Sequence, residues 1–215
     1  DFIGGRGVDA FQNNGTGFAR ITFDGGDGGD VFQNNAAGLA YLELLGGNGL
    51  DVFENNGPAV SEIRFDGGDG SDILVNDGDG VRGVFFTAGL GDDALFNNGT
   101  GTSGFEFRGG DGADKFVNTG GQATDFFFEG DAGADLFVNL GAAGQCFVFL
   151  GGAGADRLLN GATASGMTDV RFEGGDGDDT LLNDAAFVKG LTFDRGADGV
   201  RFQDLGRQVS GLTVD

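Results

Sequence analysis

Apolar and polar residues along this chain repeat with a period of 21 residues. When each repeat is numbered from the first residue of its Gly-Gly-x-Gly segment, position 8 is Phe or Leu, position 20 is almost always Phe, and position 18 is apolar. Positions 17 and 19 are mixed, so this part of the repeat alternates with a period of two, as a half-buried strand does. We therefore predict two short strands in each repeat, at about positions 6–11 and 17–21.

The strict period predicts the arrangement of the whole chain. No segment has helical spacing, and a unit of 21 residues cannot bury its own apolar face, so each unit must stack on its neighbours. The predicted fold is all-β, a parallel β-solenoid of the β-roll or β-helix kind with about ten 21-residue coils in one array over 1–215. We interpret 1–3 as the end of a preceding coil, 4–194 as nine motif-bearing coils numbered 1 to 9, and 195–215 as a degenerate tenth coil. The chain is expected to be a piece of a longer array.

Position 10 carries a carboxamide in nine coils and Asp204 in the tenth. By alternation it points the same way as the Phe or Leu at position 8, so we expect it to be buried. A buried amide must bond to the coil above it and to turn backbone, since an unpaired one costs about 1–3 kcal/mol. The predicted structural ladder consists of Asn13, Asn34, Asn55, Asn76, Asn97, Asn118, Asn139, Asn160 and Asn183.

Composition narrows the chemistry. The 23 Phe residues and 39% hydrophobic content supply a core despite 47 glycines. A net charge of −22 repels nucleic acid and anionic membrane surfaces, which leaves cations as the expected partners. No apolar run is long enough for membrane insertion. The chain has no His, and Cys146 is its lone cysteine, so a hard, oxygen-seeking cation is favoured over a transition metal.

The segment Gly-Gly-x-Gly-x-Asp is the candidate cation site. Its glycines permit positive φ and leave carbonyl oxygens uncovered, and the Asp at position 6 adds a carboxylate. Stacking brings carboxylates of adjacent coils to about 5 Å, where two charges repel by about 3 kcal/mol at an effective dielectric of 20. A Ca²⁺ ion between turns would remove that repulsion; alternatively, the Asp caps N–H groups of its own turn without metal. The candidate ligands are Asp9, Asp30, Asp51, Asp72, Asp93, Asp114, Asp135, Asp156 and Asp179.

These segments carry a family resemblance. GGDGGDVF, GGNGLDVF, GGDGSDIL, GGDGADKF and GGDGDDTL resemble the GGxGxDxUx nonapeptide of the repeats-in-toxin (RTX) proteins. The resemblance implies a β-roll that binds Ca²⁺ between stacked turns, calcium-driven folding, and export from a bacterium. The family has two motifs per coil of 18 residues, whereas this chain has one motif per 21 residues. Only one edge of the solenoid should therefore bind Ca²⁺, with up to eight ions. Ala88 and Asp131 replace motif glycines and weaken some gaps, and turn ten lacks the motif Asp.

The outward positions suggest association. Position 9 begins polar and then reads Val75, Phe96, Val117, Val138, Leu159 and Leu182. Outward apolar residues also occur at position 19, with Phe85, Phe127 and Val148. Such a ridge predicts self-association, end to end or laterally, or a covering segment.

We therefore expect a secreted, extracellular structural protein. It would be a calcium-stabilised solenoid of a surface layer, fibril or filament, adhesin or matrix at the cell surface, with a surface polysaccharide as a further partner. The alternative is a calcium-binding β-roll module of a larger exported enzyme or carbohydrate-binding protein. No catalytic residues are predicted here, because the sequence has no His, no serine nucleophile motif and no carboxylate pair outside the ladder.

Overall fold

The computed structural model describes residues 1–15, 19–194, 196, 201–206 and 208–214, and every regular element within them is a β-strand. The odd-numbered strands form one parallel sheet of eleven; we call them the longer strands, because all but the last strand of the chain have five to nine residues. The even-numbered strands, the shorter strands of four residues each, form a second parallel sheet of ten. The longer strands are β1 (Phe2–Arg6), β3 (Arg20–Asp27), β5 (Tyr41–Asn48), β7 (Ile63–Asp69), β9 (Arg82–Leu90), β11 (Ser103–Asp111), β13 (Thr124–Ala132), β15 (Gln145–Ala153), β17 (Thr168–Asp176), β19 (Lys189–Asp194) and β21 (Thr213–Val214). The shorter strands are β2 (Ala10–Asn13), β4 (Val31–Asn34), β6 (Val52–Asn55), β8 (Ile73–Asn76), β10 (Ala94–Asn97), β12 (Lys115–Asn118), β14 (Leu136–Asn139), β16 (Arg157–Asn160), β18 (Thr180–Asn183) and β20 (Arg201–Asp204).

The strands stack in the register that the repeat predicts. Phe107 lies opposite Phe86 on one side and Phe128 on the other, each 21 residues away. The two extra residues of coil 8 lie outside the strands. Arg157 therefore pairs with Thr180, and the strands of coils 8 and 9 stay in register. The predicted parallel β-solenoid of about ten coils is confirmed.

The strand boundaries differ from the prediction at the glycine motif. The longer strand continues through the first three residues of the motif, and only positions 4–6 form the tight corner before the shorter strand starts at position 7. The glycine at position 2 explains why the longer strand continues into the motif. Gly26 and Gly47 are register partners in neighbouring coils, and their backbones lie close together. A Cβ on either glycine would collide with the carbonyl oxygen of the same position one coil earlier. Glycine thus lets the ladder run through the motif as extended backbone.

The core is built from ladders of equivalent side chains. Stacked pairs at position 20, from Phe65 to Phe193, have ring centroids 4.7 to 5.2 Å apart. Phe105 and Phe126 repeat this spacing at position 18, with centroids 4.9 Å apart. The predicted core positions 8, 18 and 20 are buried through the middle of the rod.

Position 15 is a further core position that the sequence pattern did not reveal. It lies in the wide corner between the shorter strand and the next longer strand, where side chains follow no simple alternation. Leu39, Val60 and Val81 are buried there. In coil 7 this position is Gly144, and the Met167 side chain of the next coil lies so close that a Cβ on Gly144 would meet its methyl group at 2.9 Å. A longer side chain thus fills the space that glycine leaves.

The position 10 ladder has the contacts that the sequence predicted. Asn97 donates through Nδ2 to Asn118 Oδ1, and Asn118 donates to Asn139 Oδ1, each at 2.8 Å. The same Nδ2 of Asn118 also donates to the carbonyl oxygen of Gly120 at 3.1 Å. Every buried amide is therefore tied to the next coil, and most are also tied to the backbone of their own corner, so the predicted burial and ladder contacts of this row are confirmed.

Replacing Asn118 with Ala should lower the free energy of unfolding by about 2 kcal/mol, because it interrupts a buried ladder and removes one partner from each neighbouring amide. The loss is limited because Asn97 keeps Thr102 Oγ1 as an acceptor at 3.0 Å. Urea unfolding followed by circular dichroism measures the change. Asn98→Ala is the matched control, since Asn98 is exposed and should change stability by less than about 0.5 kcal/mol. Equal losses in the two variants would contradict the ladder's role.

Candidate metal centre

The motif carboxylates line the inner side of the tight corner. Each Asp at position 6 is the last residue before the shorter strand, and its side chain points into the coil. Eight of the nine are at most 2% exposed, whereas Asp9 in the first coil is half-buried. The structure therefore places the predicted residues in one file along the rod, but on the core side of the corner. The buried members are Asp30, Asp51, Asp72, Asp93, Asp114, Asp135, Asp156 and Asp179.

One oxygen of each of the eight buried carboxylates accepts a hydrogen bond from the backbone of the preceding coil. The N–H of Asp93 donates to Asp114 Oδ1 at 2.8 Å, and the same contact recurs along the file at 2.5 to 2.9 Å. The capping hypothesis expected an N–H of the Asp's own turn, but the capped N–H belongs to the motif Asp one coil earlier. These carboxylates therefore join coils to one another.

The second oxygen has no hydrogen-bond partner in seven of these residues, from Asp30 to Asp156, although it is fully shielded from solvent. It lies against position 1 of the motif. A Cβ on Gly109 would meet Asp114 Oδ2 well inside van der Waals contact, so the missing side chain lets the carboxylate of this coil approach the backbone closely. The sequence suggested positive φ as the reason for all three glycines, yet Gly109 has none, unlike Gly110 at 104° and Gly112 at 147°.

Burial perturbs the acidity of this file. Loss of solvation raises the pKa of Asp72, Asp114 and Asp156 to about 7. The same cause raises the pKa of Asp93 and Asp135 to about 6, while the N–H donated by the preceding coil lowers it in part. Neighbouring carboxylates add to the rise, as Asp93 and Asp135 do for Asp114. The file is therefore a row of acids that resist ionisation unless positive charge reaches them.

The donor atoms suit a hard divalent cation. Around the position where Gly25 lacks a Cβ lie Asp30 Oδ2 and, at 2.8 Å from that point, the carbonyl oxygen of Gly46 in the next coil. A carboxylate oxygen and a carbonyl oxygen of the next coil thus approach the same glycine, and both are kinds of oxygen that Ca²⁺ prefers as ligands. Across the described residues, no three His, Cys, Asp or Glu side chains gather as a metal-binding group.

The two replaced glycines leave the file continuous. Asp131 occupies position 2 of coil 7 with φ at 68°, a left-handed conformation that glycine adopts more easily. Asp135 of the same coil nevertheless accepts the Asp114 N–H at 2.8 Å. Ala88 occupies position 1 of coil 5, where Asp93 still accepts the Asp72 N–H at 2.5 Å. The prediction that turn ten binds no ion concerns 195–200, most of which lies outside the described residues.

Comparison of this chain with protein-family models, with curated proteins and with solved structures found no match. In the part of the chain that the structure describes, no helix is long and apolar enough to cross a membrane. The case for a function therefore depends on the geometry of the solenoid and its buried acids.

Proposed function

We propose that this chain is a secreted structural solenoid, part of a surface layer, fibril, adhesin or matrix at the cell surface, which Ca²⁺ stabilises through the file of motif carboxylates. The observation that carries the proposal is the row of seven buried Oδ2 atoms without hydrogen-bond partners. Burying an ionised carboxylate costs free energy unless a positive charge or hydrogen-bond donors pair with it. Because this cost recurs from coil to coil, the charges that offset it should also recur from coil to coil. Cations placed along the file would provide these charges.

The residues that would hold the ions are the seven Asp residues whose Oδ2 has no hydrogen-bond partner, together with Asp9 and Asp179 at the two ends of the file. Bound calcium would supply positive charge that keeps these groups ionised in the interior. The Oδ1 contacts hold each carboxylate at its corner and link it to the preceding coil. Calcium modules that work outside cells bind at about 10⁻⁴–10⁻³ M, so folding would be completed where calcium is abundant. The rod would then become rigid after export.

The proposal assigns no catalysis to these residues. The carboxylates with the most perturbed pKa values, Asp72, Asp114 and Asp156, are at most 1% exposed, so a substrate cannot reach them without unfolding a corner. Perturbed acids also arise in structural ion networks, and a repeat of the same group in every coil is typical of structure rather than of one active site.

Asp114→Asn tests the proposal, because its effect should change sign with calcium. At pH 7 in calcium, the variant loses a charged ligand and should be destabilised by about 2 kcal/mol. At pH 7 in chelator, the same change removes a buried charge and should raise the melting temperature. Thermal unfolding by circular dichroism measures both.

Asp111→Asn is the matched control, since Asp111 ends strand β11 directly before the same corner but is exposed. It should change the melting temperature by no more than about 2 °C in either buffer. If Asp114→Asn has the same sign and size with calcium and with chelator, the carboxylate only caps backbone and the proposed cation role is wrong.

A further inference from the structure

The outer face of the sheet of shorter strands carries an apolar strip that extends along most of the rod. We define the strip as the side chains at repeat positions 7 and 9 of coils 2 to 9, from Val31 to Leu182. Sequence reasoning found position 9 but missed position 7, which is the other outward position of each four-residue strand. At the centre of the strip, the half-buried side chains are Ile73, Val75, Phe96, Val117, Leu136 and Val138.

The charge of the strip is opposite to that of the rest of the molecule. Its charged residues are Glu54, Lys115 and Arg157, so it carries +1 while the remainder of the chain carries −23. Lys115 Nζ lies 5.7 Å from the ring centroid of Phe96, so even this cation covers an aromatic face. The strip contains one acid in a chain with 34 Asp and Glu residues. It is therefore the face best suited to contact another copy, because the acids elsewhere on the two copies would repel each other.

We propose that the strip is a lateral interface between two copies of this chain, related by a two-fold axis parallel to the strands between coils 5 and 6. The strips of the two copies have the same axial repeat of about 4.8 Å. Side chains of one strip therefore meet side chains of the other at the same spacing in every coil. The axis places coil 5 opposite coil 6, and therefore Phe96 of one copy opposite Val117 of its mate. An unrelated partner would have no reason to match this repeat.

The same symmetry pairs the charges. Coil 3 of one copy lies opposite coil 8 of the other, which places Glu54 near Arg157 of its mate, once on each side of the apolar centre. Arg157 is exposed and can reach across, and Glu54 accepts a hydrogen bond from Gln33 Nε2 at 2.8 Å that orients its carboxylate. Two symmetric ion pairs would thus fix the antiparallel direction and the alignment of the rods.

The area is sufficient for a modest dimer. Eight coils at about 4.8 Å and four residues at about 3.3 Å per strand give roughly 500 Å² on each copy. The total of roughly 1,000 Å² is at the lower limit for specific interfaces, so we expect a dissociation constant in the micromolar range. This inference deepens the proposed structural function, yet it rests on the strip and not on the carboxylate file.

Sedimentation equilibrium of the folded protein in calcium, from about 1 to 100 μM chain, tests the dimer. The protein should sediment at twice the monomer mass at the upper concentrations. Glu54→Arg or Arg157→Glu alone should raise the dissociation constant at least about tenfold, because like charges then face each other. The double variant should return it to within about threefold of the original value, since the pair is restored in reverse.

Val117→Glu should abolish the dimer, whereas the control Val148→Glu, an outward Val of the other sheet, should leave it unchanged. Circular dichroism of each variant confirms that it is folded. A monomer at all concentrations, a dimer broken by Val148→Glu alone, or a double variant as weak as the singles would overturn the interface. A dimer whose melting temperature is the same in chelator as in calcium would instead contradict only the calcium proposal, and a calcium-stabilised monomer would contradict only the dimer.

Discussion

Chelating calcium at pH 8 is expected to lower the melting temperature by roughly 20 °C or more, and acidifying the chelated protein to pH 5 is expected to recover most of that loss. The folded-state pKa of Asp72, Asp114 and Asp156 is raised to about 7, above the ordinary value of 3.8. Stability from such groups is fully present below the unfolded pKa and is lost as pH rises through the folded pKa. In chelator, stability should therefore fall from about pH 4 to about pH 7, between the unfolded and the folded pKa, and change little above about pH 8.

The size of this effect follows from the number of perturbed acids. Each pH unit between the ordinary and the raised pKa costs about 1.4 kcal/mol per carboxylate at high pH. Five carboxylates with a pKa of about 6 or 7 together impose a cost comparable with the 5–15 kcal/mol stability of a typical domain. Calcium competes with protons for the same oxygens, so it should stabilise strongly at pH 8 and weakly at pH 5.

The controls separate calcium from ionic strength. Magnesium at the same concentration should stabilise less, because it requires near-octahedral geometry and releases its water reluctantly. Sodium chloride at equal ionic strength should have a small effect, because buried charges are screened much less than exposed ones. A melting temperature that is insensitive both to chelator and to pH from 5 to 8 would contradict the account of the file.

Phe128→Ala is expected to lower the free energy of unfolding by about 3–5 kcal/mol. The ring is fully buried, with its centroid 4.7 Å from both Phe107 and Phe149, and it also meets Phe116 edge-on at 6.3 Å. Because each coil contacts only its neighbours, a cavity here weakens the contact between the two halves of the rod. Urea unfolding in calcium should show the loss.

Phe127→Ala provides a control at the adjacent position, since its ring points to the outer face and is half-buried. It should cost less than about 1 kcal/mol. The ratio between the two losses tests the predicted alternation of the strand. Similar losses would mean that positions 19 and 20 are equally buried in solution.

The 21-residue period was enough to predict the solenoid, its register and most of its core. Stacking identical units brings like side chains together whatever the local backbone does, so the Phe ladder at position 20 and the Asn118 row followed directly. The position 15 residues, such as Val60, were missed because they lie in a corner, where no alternation indicates which side chains point inward.

The glycine motif was predicted less well, for a different reason. Glycine accepts both turn and extended conformations, so the sequence of the motif could not show that the strand continues through Gly109 and Gly110. The direction of the Asp114 side chain depends on the φ and ψ of that corner, and the donor of its hydrogen bond lies in another coil. The sequence located the acids and their spacing, but the burial of their second oxygens needed three-dimensional coordinates.

The most direct test of the central claim is the number of calcium ions bound per folded chain at pH 8, measured by equilibrium dialysis with elemental analysis. The account predicts several ions and at most eight, one for each gap between the nine motif Asp residues, with fewer in Asp114→Asn and no change in Asp111→Asn. A folded chain that binds no calcium, or one that binds the same number after Asp114→Asn, would contradict it.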